Sequence, residues 1–271
     1  MMSAHEQLSP HRVSDQHAFV TGASSGIGKE FALQLAAQGY TLTAVARREA
    51  RLQELVSQLP GEGHQYLVAD LGTDAGVRLA KEALQGKRVN LLINNAGLSV
   101  FDPFFASELE AQSNILSVNC ASLMTLAHAF LRQAERGDAL INLSSIVAFL
   151  PTPAQPMYSA SKAFIASFSE CLWEEQRPRG VYVMGLCPGI TQTEFITSAT
   201  GGEADGQNLP KALIQSPQAV VEEALRALQA RKKAIVVTGR INRMMLLMPR
   251  ILTRHRLLKV LAVVGDPEKA L

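Results

Sequence analysis

Short apolar runs alternate with longer amphipathic segments along the chain from residue 17 onward. Most of these runs are four to six residues long and are bounded by Gly, Asn, Asp or Pro, as expected for strands buried on both faces. The predicted strands are His17–Thr21, Thr41–Ala46, Tyr66–Ala69, Val89–Asn94, Ala139–Leu143, Val181–Leu186 and Ala234–Val237. Between them apolar residues recur at helical spacing, and the longest such segments are Ser107–Gln133 and Met157–Arg177. The alternation predicts one α/β domain over residues 16–239, doubly wound, with a seven-stranded parallel sheet and helices on both faces.

Composition places the chain among folded proteins with a sizeable core. Of its 271 residues, 47% are apolar and 18% are charged, which excludes a disordered or low-complexity chain. The three cysteines are scattered and lack metal-ligand spacing, so we expect no disulfide framework and no metal site. Such cysteine usage fits a reducing compartment, and we therefore expect a cytoplasmic protein.

The N-terminal residues 1–15 are polar and rich in His and Ser. We expect a flexible tail there, and not a signal peptide or an anchor. No run of 18 uncharged apolar residues occurs anywhere in the chain, so no transmembrane helix is predicted.

Residues 240–271 form a basic extension of the same domain. Between Arg240 and Val264 the chain has six Arg or Lys residues and no acidic residue, whereas its total net charge is only +2. We expect Pro249 to divide this segment into two short amphipathic helices. Three roles remain open: a cap over a substrate pocket or a subunit contact, peripheral contact of residues 240–264 with an anionic membrane, or plain packing. The rest of the sequence has no cluster of basic residues of the kind that binds a nucleic acid, so we expect no nucleic-acid partner.

A glycine-rich turn follows the first predicted strand directly and precedes a helix. Residues 21–28 read Thr-Gly-Ala-Ser-Ser-Gly-Ile-Gly. Glycines allow a tight turn and close approach of the backbone to a pyrophosphate, while the helix N-terminus offers free N–H groups. The order strand, turn, helix therefore predicts a dinucleotide site. A plain strand-to-helix turn without a ligand is the other interpretation of this sequence. The predicted cofactor contacts of the turn are Gly22, Ser24, Ser25, Gly26, Ile27 and Gly28.

Arg47 and Arg48 stand at the end of the second predicted strand, where dinucleotide sites read the adenosine ribose. An NAD site has a carboxylate there, whereas guanidinium groups suit the 2′-phosphate of NADP, and Ser24 could add a hydroxyl. We therefore expect NADP(H), with NAD(H) as the less favoured alternative. Two solvated arginines at a strand end are the other interpretation of this pair.

Tyr158 and Lys162 lie four residues apart in a helical segment and therefore share one face. An ammonium beside a phenol favours the phenolate and lowers the phenol pKa from about 10, which yields a usable general acid for a carbonyl. Taken alone, a Tyr and a Lys at this spacing are usually an ordinary surface pair.

Five separated motifs occur in a fixed order along the chain. They are the glycine-rich turn, Asn94-Asn95-Ala96-Gly97 after the fourth strand, Ser144-Ser145 after the fifth, Tyr158-x-x-x-Lys162, and Pro188-Gly189 after the sixth. With these motifs the chain resembles the classical short-chain dehydrogenase/reductase family over about residues 15–240, and the resemblance implies a Rossmann fold.

The resemblance also implies catalytic roles. Tyr158 would be the general acid/base and Ser145 would hydrogen-bond the substrate oxygen, with Ser144 as a rival that the family's Ser-to-Tyr interval disfavours. Lys162 would hold the nicotinamide ribose and lower the pKa of Tyr158. Asn119 would kink its long helix and anchor a water-mediated proton relay to Lys162; a helix-face Asn is the alternative.

Further binding residues follow from the same resemblance. Those expected near the adenosine half of the cofactor are Asn94, Ala96, Gly97, Asp70 and Leu71; for Asp70, a strand-end turn residue is the other interpretation. Those expected near the carboxamide end of the nicotinamide are Pro188, Gly189, Ile190 and Thr193. Substrate contacts are expected from Ser145, Ile146, Gln155 and Phe195, and apolar neighbours suggest a roomy apolar pocket.

Together these observations predict an NADP(H)-dependent oxidoreductase that moves a hydride between nicotinamide and an apolar ketone or secondary alcohol. The alternative is an NADP(H)-sensing binding protein of the same fold with little turnover. The resemblance further implies a homodimer or homotetramer formed through the two long helices that contain Asn119 and Tyr158.

Overall fold

A computed structural model describes residues 16–195 and 214–264 of the chain, and the predicted N-terminal tail lies outside these residues. Within them, all seven predicted strands are present. They are β1 (His17–Thr21), β2 (Thr41–Ala46), β3 (Gln65–Val68), β4 (Leu91–Asn94), β5 (Ala139–Leu143), β6 (Tyr182–Cys187) and β7 (Ile235–Val237). The strands form one parallel sheet in the order β3-β2-β1-β4-β5-β6-β7, which confirms the predicted doubly wound Rossmann fold.

The switch point of this sheet lies between β1 and β4. Val20 of β1 is in register with Ala44 of β2 on one side and with Ile93 of β4 on the other. The chain therefore winds outward in both directions from β1, and a crevice opens beyond the carboxyl ends of β1 and β4. The glycine-rich turn and the Asn-Asn-Ala-Gly motif both begin at this crevice.

Helices cover both faces of the sheet. They are α1 (Gly26–Ala37), α2 (Glu49–Gln58), α3 (Asp74–Gln85), α4 (Leu109–Leu116), α5 (Leu123–Gln133), α6 (Pro156–Gln176), α7 (Pro217–Ala230), α8 (Arg240–Met245), α9 (Met248–Ile251) and α10 (Arg254–Val264). On one face α1, α2 and α7 bury residues such as Phe31, Leu52 and Val221, and on the other α3 and α5 bury Leu84 and Phe130. Each face thus has its own apolar core.

The segment predicted as one helix from residue 107 to 133 is interrupted. A π-helical turn, Ser117–Ser122, joins α4 to α5 and brings Asn119 into the protein interior. The run Leu109–Gln133 is long and apolar enough to cross a bilayer, with a mean hydropathy of 1.3, but 56% of its most apolar window is buried in the fold. Because core helices share these properties, the run is only weak evidence for a membrane span.

The basic extension forms three short helices and not the predicted two. Pro249 lies in the first turn of α9, where a missing N–H costs no helical hydrogen bond, so it starts a helix instead of breaking one. Leu257 anchors α10 with 3% exposure, whereas Met244 and Ile251 are largely exposed. The described part of the extension therefore combines buried anchors with apolar side chains at the surface.

Candidate active site

The glycine-rich turn has the geometry of a phosphate cradle. Gly22 and Gly26 have φ angles of +66° and +56°, which glycine adopts without the strain of a side chain. A Cβ atom at Gly28 would collide with the carbonyl oxygen of Gly22. Helix α1 begins at Gly26 without a side-chain cap, so its first N–H groups are available to an anion. These properties fit the predicted dinucleotide contacts.

Asn95 fixes this turn against the end of β4. Its side-chain Nδ2 donates to the carbonyl oxygens of Thr21 (2.9 Å) and Gly22 (3.2 Å). In return, Oγ1 of Thr21 accepts from the backbone N–H groups of Asn95 and Ala96, both at 3.0 Å. Asn95 was absent from the predicted contact set, although its position directly after a buried strand was a usable signal.

Asn94 points away from the crevice. Its buried side chain donates to the carbonyl oxygen of Leu123 (3.3 Å) and to Oδ1 of Asn142 (3.0 Å), in the layer below the sheet. The expected position of Asn94 beside the adenosine ribose stays a prediction. By contrast, Gly97 lies at the site, because a Cβ there would be 3.5 Å from Nζ of Lys162.

Arg47 and Arg48, which were predicted to bind the 2′-phosphate, extend in different directions. Arg48 folds over the glycine-rich turn, where its Nη2 donates to the hydroxyls of Ser24 (3.0 Å) and Ser25 (2.8 Å). Arg47 extends the other way, 3.9 Å from the carboxylate of Asp70. Oδ1 of Asp70 accepts from the N–H of Gly72 (2.9 Å), so this carboxylate both shapes its turn and borders the adenosine side. The next residue, Leu71, is 5% exposed and packs in the core.

Tyr158 lies in the first turn of α6 and is partly buried. Burial raises the pKa of Tyr158 above its ordinary value, and the Ser145 hydroxyl beside it opposes this rise. The neighbouring Ser144 donates to the carbonyl oxygen of Lys162 (2.7 Å) and is committed to the helix. Of the two serines, the geometry therefore favours Ser145 as the partner of Tyr158.

Lys162 is 3% exposed, with its Nζ 5.4 Å from the centre of the Tyr158 ring. This ammonium donates to the carbonyl oxygen of Leu143 (2.7 Å), and burial lowers the pKa of Lys162 to about 8. Burial is the largest influence on the Tyr158 pKa and raises it, and the lowering expected from Lys162 stays a prediction.

Asn119 is fully buried at the π-helical turn, and all of its side-chain polar atoms are engaged. Oδ1 accepts from the N–H of Leu98 (2.8 Å), while Nδ2 donates to the carbonyl oxygen of Leu98 and to Oγ of Ser161, both at 3.0 Å. The side chain therefore holds the loop after Gly97 against α6. A relay through Asn119 would have to use its backbone, which a π-turn can free from the regular helical ladder.

The segment after β6, residues 188–195, covers one side of the site. The carbonyl oxygen of Pro188 accepts from the hydroxyl of Ser145 (3.4 Å), and that of Ile190 accepts from the N–H of Gln215 (2.9 Å). The methyl group of Thr193 lies over Gly26, and the ring of Phe195 lies 5.5 Å from that of Tyr158. Predicted carboxamide and substrate residues thus converge here.

Two supporting residues and two predicted substrate contacts complete the site. Asn242 of α8 packs tightly against Gly189 and donates to the carbonyl oxygen of Thr238 (2.8 Å). Its side chain also contacts that of Gln215 at 3.1 Å, and no sequence motif marked either residue. Gln155 is buried and donates to Ser99 (3.0 Å), so it shapes the pocket wall, and Ile146 is buried beside it on the turn after Ser145. Within 16–195 and 214–264 no group of His, Cys, Asp and Glu could hold a metal ion.

The fold and the phosphate cradle together are those of a Rossmann-type dinucleotide-binding domain. A family model described as short chain dehydrogenase matches residues 16–204, and the chain belongs to this family. Among curated proteins, a very-long-chain 3-oxoacyl-CoA reductase of Pyrenophora tritici-repentis is 33% identical over 220 residues, 77% of this chain and 62% of that protein. A sulfoacetaldehyde reductase of Chromohalobacter salexigens is 36% identical over 193 residues, 68% of this chain and 76% of that protein. The chain thus spans about three fifths of the length of the first of these relatives.

Solved structures of the family superpose on the chain. A short-chain dehydrogenase from Sphingobium yanoikuyae in complex with NADPH has a TM-score of 0.74 and 30% identity, covering 82% of this chain and 87% of that one. A 3-ketoacyl-(acyl-carrier-protein) reductase from Brucella melitensis complexed with NADH has a TM-score of 0.72 and 25% identity, covering 84% and 99%. Similar structures therefore hold either cofactor.

Proposed function

We propose that this protein is an NADP(H)-dependent oxidoreductase that interconverts an apolar ketone and its secondary alcohol. The observation that carries the proposal is a partly buried phenol, Tyr158, next to Ser145 and Lys162 at the crevice of the sheet. A phosphate cradle lies at the same crevice, at the N-terminus of α1. Acid, hydrogen-bond donor and cofactor cradle in one crevice fit carbonyl reduction.

The described residues fit a nicotinamide dinucleotide. A Cβ at Gly22, Gly26 or Gly28 would collide with neighbouring protein atoms, so only glycine allows this tight turn at the N-terminus of α1, where a pyrophosphate can bind. Lys162 lies near Gly97, on the side where the nicotinamide ribose is expected. The preference for NADP(H) is supported by Arg48, whose guanidinium is oriented by Ser24 and Ser25 toward the adenosine side. A guanidinium with hydroxyl neighbours is a favourable partner for a phosphate monoester.

In this proposal the bound cofactor supplies the hydride in reduction and accepts it in oxidation. Tyr158 donates its phenolic proton to the carbonyl oxygen as the alcohol forms and takes that proton back in the reverse direction. Ser145 donates a hydrogen bond to the same oxygen. Because burial raises the pKa of Tyr158, the phenol holds its proton at neutral pH and can donate it to the carbonyl oxygen.

The substrate side of the site is mainly apolar. Phe195 packs on Tyr158 and Ile146 follows Ser145 directly, while Gln155 is turned to Ser99. A substrate carbonyl at Ser145 would therefore have apolar neighbours, which supports an apolar chain or ring next to the carbonyl. The fungal relative is an oxoacyl-CoA reductase, and an oxoacyl substrate agrees with an apolar chain next to the carbonyl. The bacterial relative is a sulfoacetaldehyde reductase, and sulfoacetaldehyde does not agree with it.

The surfaces of α4, α5 and α6 support the predicted homodimer or homotetramer. Leu116, Met124 and Phe164 are exposed on them, at 43%, 47% and 39%. Apolar groups of this size on long helices are typical of subunit contacts. The oligomeric state and the cytoplasmic location both stay predictions.

The experiment that tests the function compares Tyr158→Phe with wild type on a panel of apolar ketones, with NADPH and NADH, at the absorbance of the reduced nicotinamide. We expect turnover with NADPH to fall by about 10²-fold or more in the variant, because general acid catalysis is lost. NADPH affinity should change little. Tyr182→Phe is the matched control, because its hydroxyl bonds to Lys233 away from the crevice.

Retained turnover in Tyr158→Phe would refute the role of the phenol. If wild type binds NADPH tightly and turns over no ketone in the panel, the alternative of an NADP(H)-sensing protein gains support. If wild type prefers NADH, the cofactor part of the proposal is wrong.

A further inference from the structure

Residues 192–195 cross the crevice directly after β6, and we call this segment the strap. It makes three separate contacts with the site. Thr193 covers Gly26, because a Cβ on Gly26 would lie 2.9 Å from the methyl carbon of Thr193. Glu194 reaches the N-terminus of α2, and Phe195 packs on Tyr158 with ring centres 5.5 Å apart. The strap therefore spans the site from the adenosine side to the reacting phenol.

Glu194 is bound by two guanidinium groups. Its Oε2 accepts from Nη1 of Arg48 at 2.9 Å, and Nη1 of Arg51 lies 2.5 and 2.6 Å from its two oxygens. These hydrogen bonds lower the pKa of Glu194, so the group is a carboxylate at neutral pH. The three side chains are each about half exposed, which keeps the ion pairs exchangeable with solutes.

The partners of Glu194 are also the elements of a phosphate site. Arg48 already lies on the hydroxyls of Ser24 and Ser25, and Arg51 projects from the first turn of α2 toward the same point. A phosphate monoester carries more charge and more acceptor oxygens than a carboxylate, so it would use both guanidiniums and the hydroxyls. A cavity of about 700 Å³ borders this point, with Ser24, Arg51 and Glu194 among its lining.

We propose that Glu194 is an internal competitor for the 2′-phosphate of the cofactor, and that Arg51 reads this phosphate together with Arg48. The inference rests on the proposed NADP(H) dependence and deepens it. Binding of the phosphate releases Glu194, and with it the strap that holds Phe195 on Tyr158. A dinucleotide without the phosphate gives no such release, so the exchange couples cofactor choice to access of substrate to the phenol.

The experiment measures binding of adenosine 2′,5′-bisphosphate and of adenosine 5′-monophosphate by calorimetry at low ionic strength. These two probes differ only in the 2′-phosphate and contain no nicotinamide. In Glu194→Gln we expect the bisphosphate to bind about tenfold more tightly than in wild type, because a competing charge is gone. The monophosphate should change by less than about threefold, since it lacks the group that replaces Glu194.

Two variants serve as controls. Glu54→Gln removes the same charge from the same cavity wall. The Glu54 carboxylate accepts from the side chain of Gln58, away from Arg48, and both affinities should stay at wild-type values. Arg51→Gln should weaken the bisphosphate by about fivefold and the monophosphate by less than about twofold, as expected for the loss of one partly exposed phosphate contact.

The outcomes separate the inference from the proposed function. If wild type prefers the bisphosphate but Glu194→Gln leaves the ratio of the two affinities unchanged or lowers it, Glu194 is not a competitor and the inference is overturned alone. If wild type shows no preference between the probes and no variant creates one, the NADP(H) dependence fails as well. An equal gain in Glu54→Gln would attribute the effect to general charge and also overturn the inference.

Discussion

Lys162 provides a quantitative test of how the buried site responds to pH. Its ammonium is 3% exposed, and burial lowers its pKa from 10.5 to about 8. A difference of this size corresponds to about 3 kcal/mol of unfolding free energy, since each pKa unit is worth about 1.36 kcal/mol. The folded protein without cofactor therefore has an unfavourable contribution from Lys162 whenever this side chain is charged.

The sign follows from proton binding in the two states. Between about pH 8 and pH 10.5 the unfolded chain keeps the proton on Lys162 while the folded chain has released it, so the contribution of this residue makes stability rise with pH. Below pH 8 the lysine is charged in both states and the unfavourable contribution is constant. The phenol of Tyr158 and the thiol of Cys187 make stability fall as the pH rises, because burial raises the pKa of both groups in the folded protein.

The assay is urea unfolding of wild type and Lys162→Met, without added nucleotide, at two pH values. Between about pH 7.5 and pH 9.5 wild type should gain about 2 kcal/mol relative to the variant. Tyr158 and Cys187 are present in both proteins, so the comparison isolates Lys162 together with its charge interaction with Cys187. Lys81→Met, at an exposed position on α3, should behave like wild type. Parallel pH profiles for wild type and Lys162→Met would refute the assignment of a lowered pKa to this lysine.

Three further predictions concern the cofactor, the core of the site and the extension. Replacing Arg47 and Arg48 together by Ala should weaken NADPH by about tenfold or more and NADH much less, measured by nucleotide fluorescence, because phosphate contacts are lost; equal losses would refute a 2′-phosphate role. Asn119→Ala should lower the free energy of unfolding by about 3 kcal/mol, because it deletes three buried hydrogen bonds, and a loss near zero in urea titrations would contradict the geometry. Residues 240–264, with exposed apolar and basic side chains, should promote co-sedimentation with anionic vesicles, at about 1 kcal/mol for each basic residue near the surface. Truncation after residue 239 should abolish that binding, and binding that survives truncation would exclude the extension as its cause.

The fold could be predicted from the sequence because each buried strand leaves a local signal. Runs such as Ala139–Leu143 have the same bounds in the sequence pattern and in the structure, since Gly137 and Asp138 precede this strand and Ser144 follows it. The helix boundaries around Ser117–Ser122 were missed, because a π-turn has the same apolar spacing as the helices it joins. The number of helices near Pro249 was missed because Pro is compatible both with a helix start and with a helix end.

The site was predictable where one segment carries the chemistry and not where distant segments meet. Tyr158 and Lys162 share one turn of helix, so periodicity places them on one face, while their roles and the choice of Ser145 came from the resemblance to the family. Glu194 lies more than 140 residues from Arg48 along the chain, and nothing near Glu194 in the sequence indicates that the two side chains pair. Contacts of this kind depend on the order of strands in the sheet, which brings the ends of β2 and β6 to the same crevice.

The packing of α8 shows which part of the extension is available for each of the three roles that the sequence left open. Gly189 lacks a side chain, and Asn242 fills the resulting space, where it also contacts Thr238 and Gln215. Since Gln215 in turn pairs with the backbone of Ile190, the first helix of the extension supports the turn on which the nicotinamide end of the cofactor is expected. That surface is consequently committed to the catalytic domain, so only the parts of α8, α9 and α10 that face outward remain for a membrane or a second subunit. A change that loosens α8 should therefore alter cofactor binding even though α8 follows the last strand of the sheet.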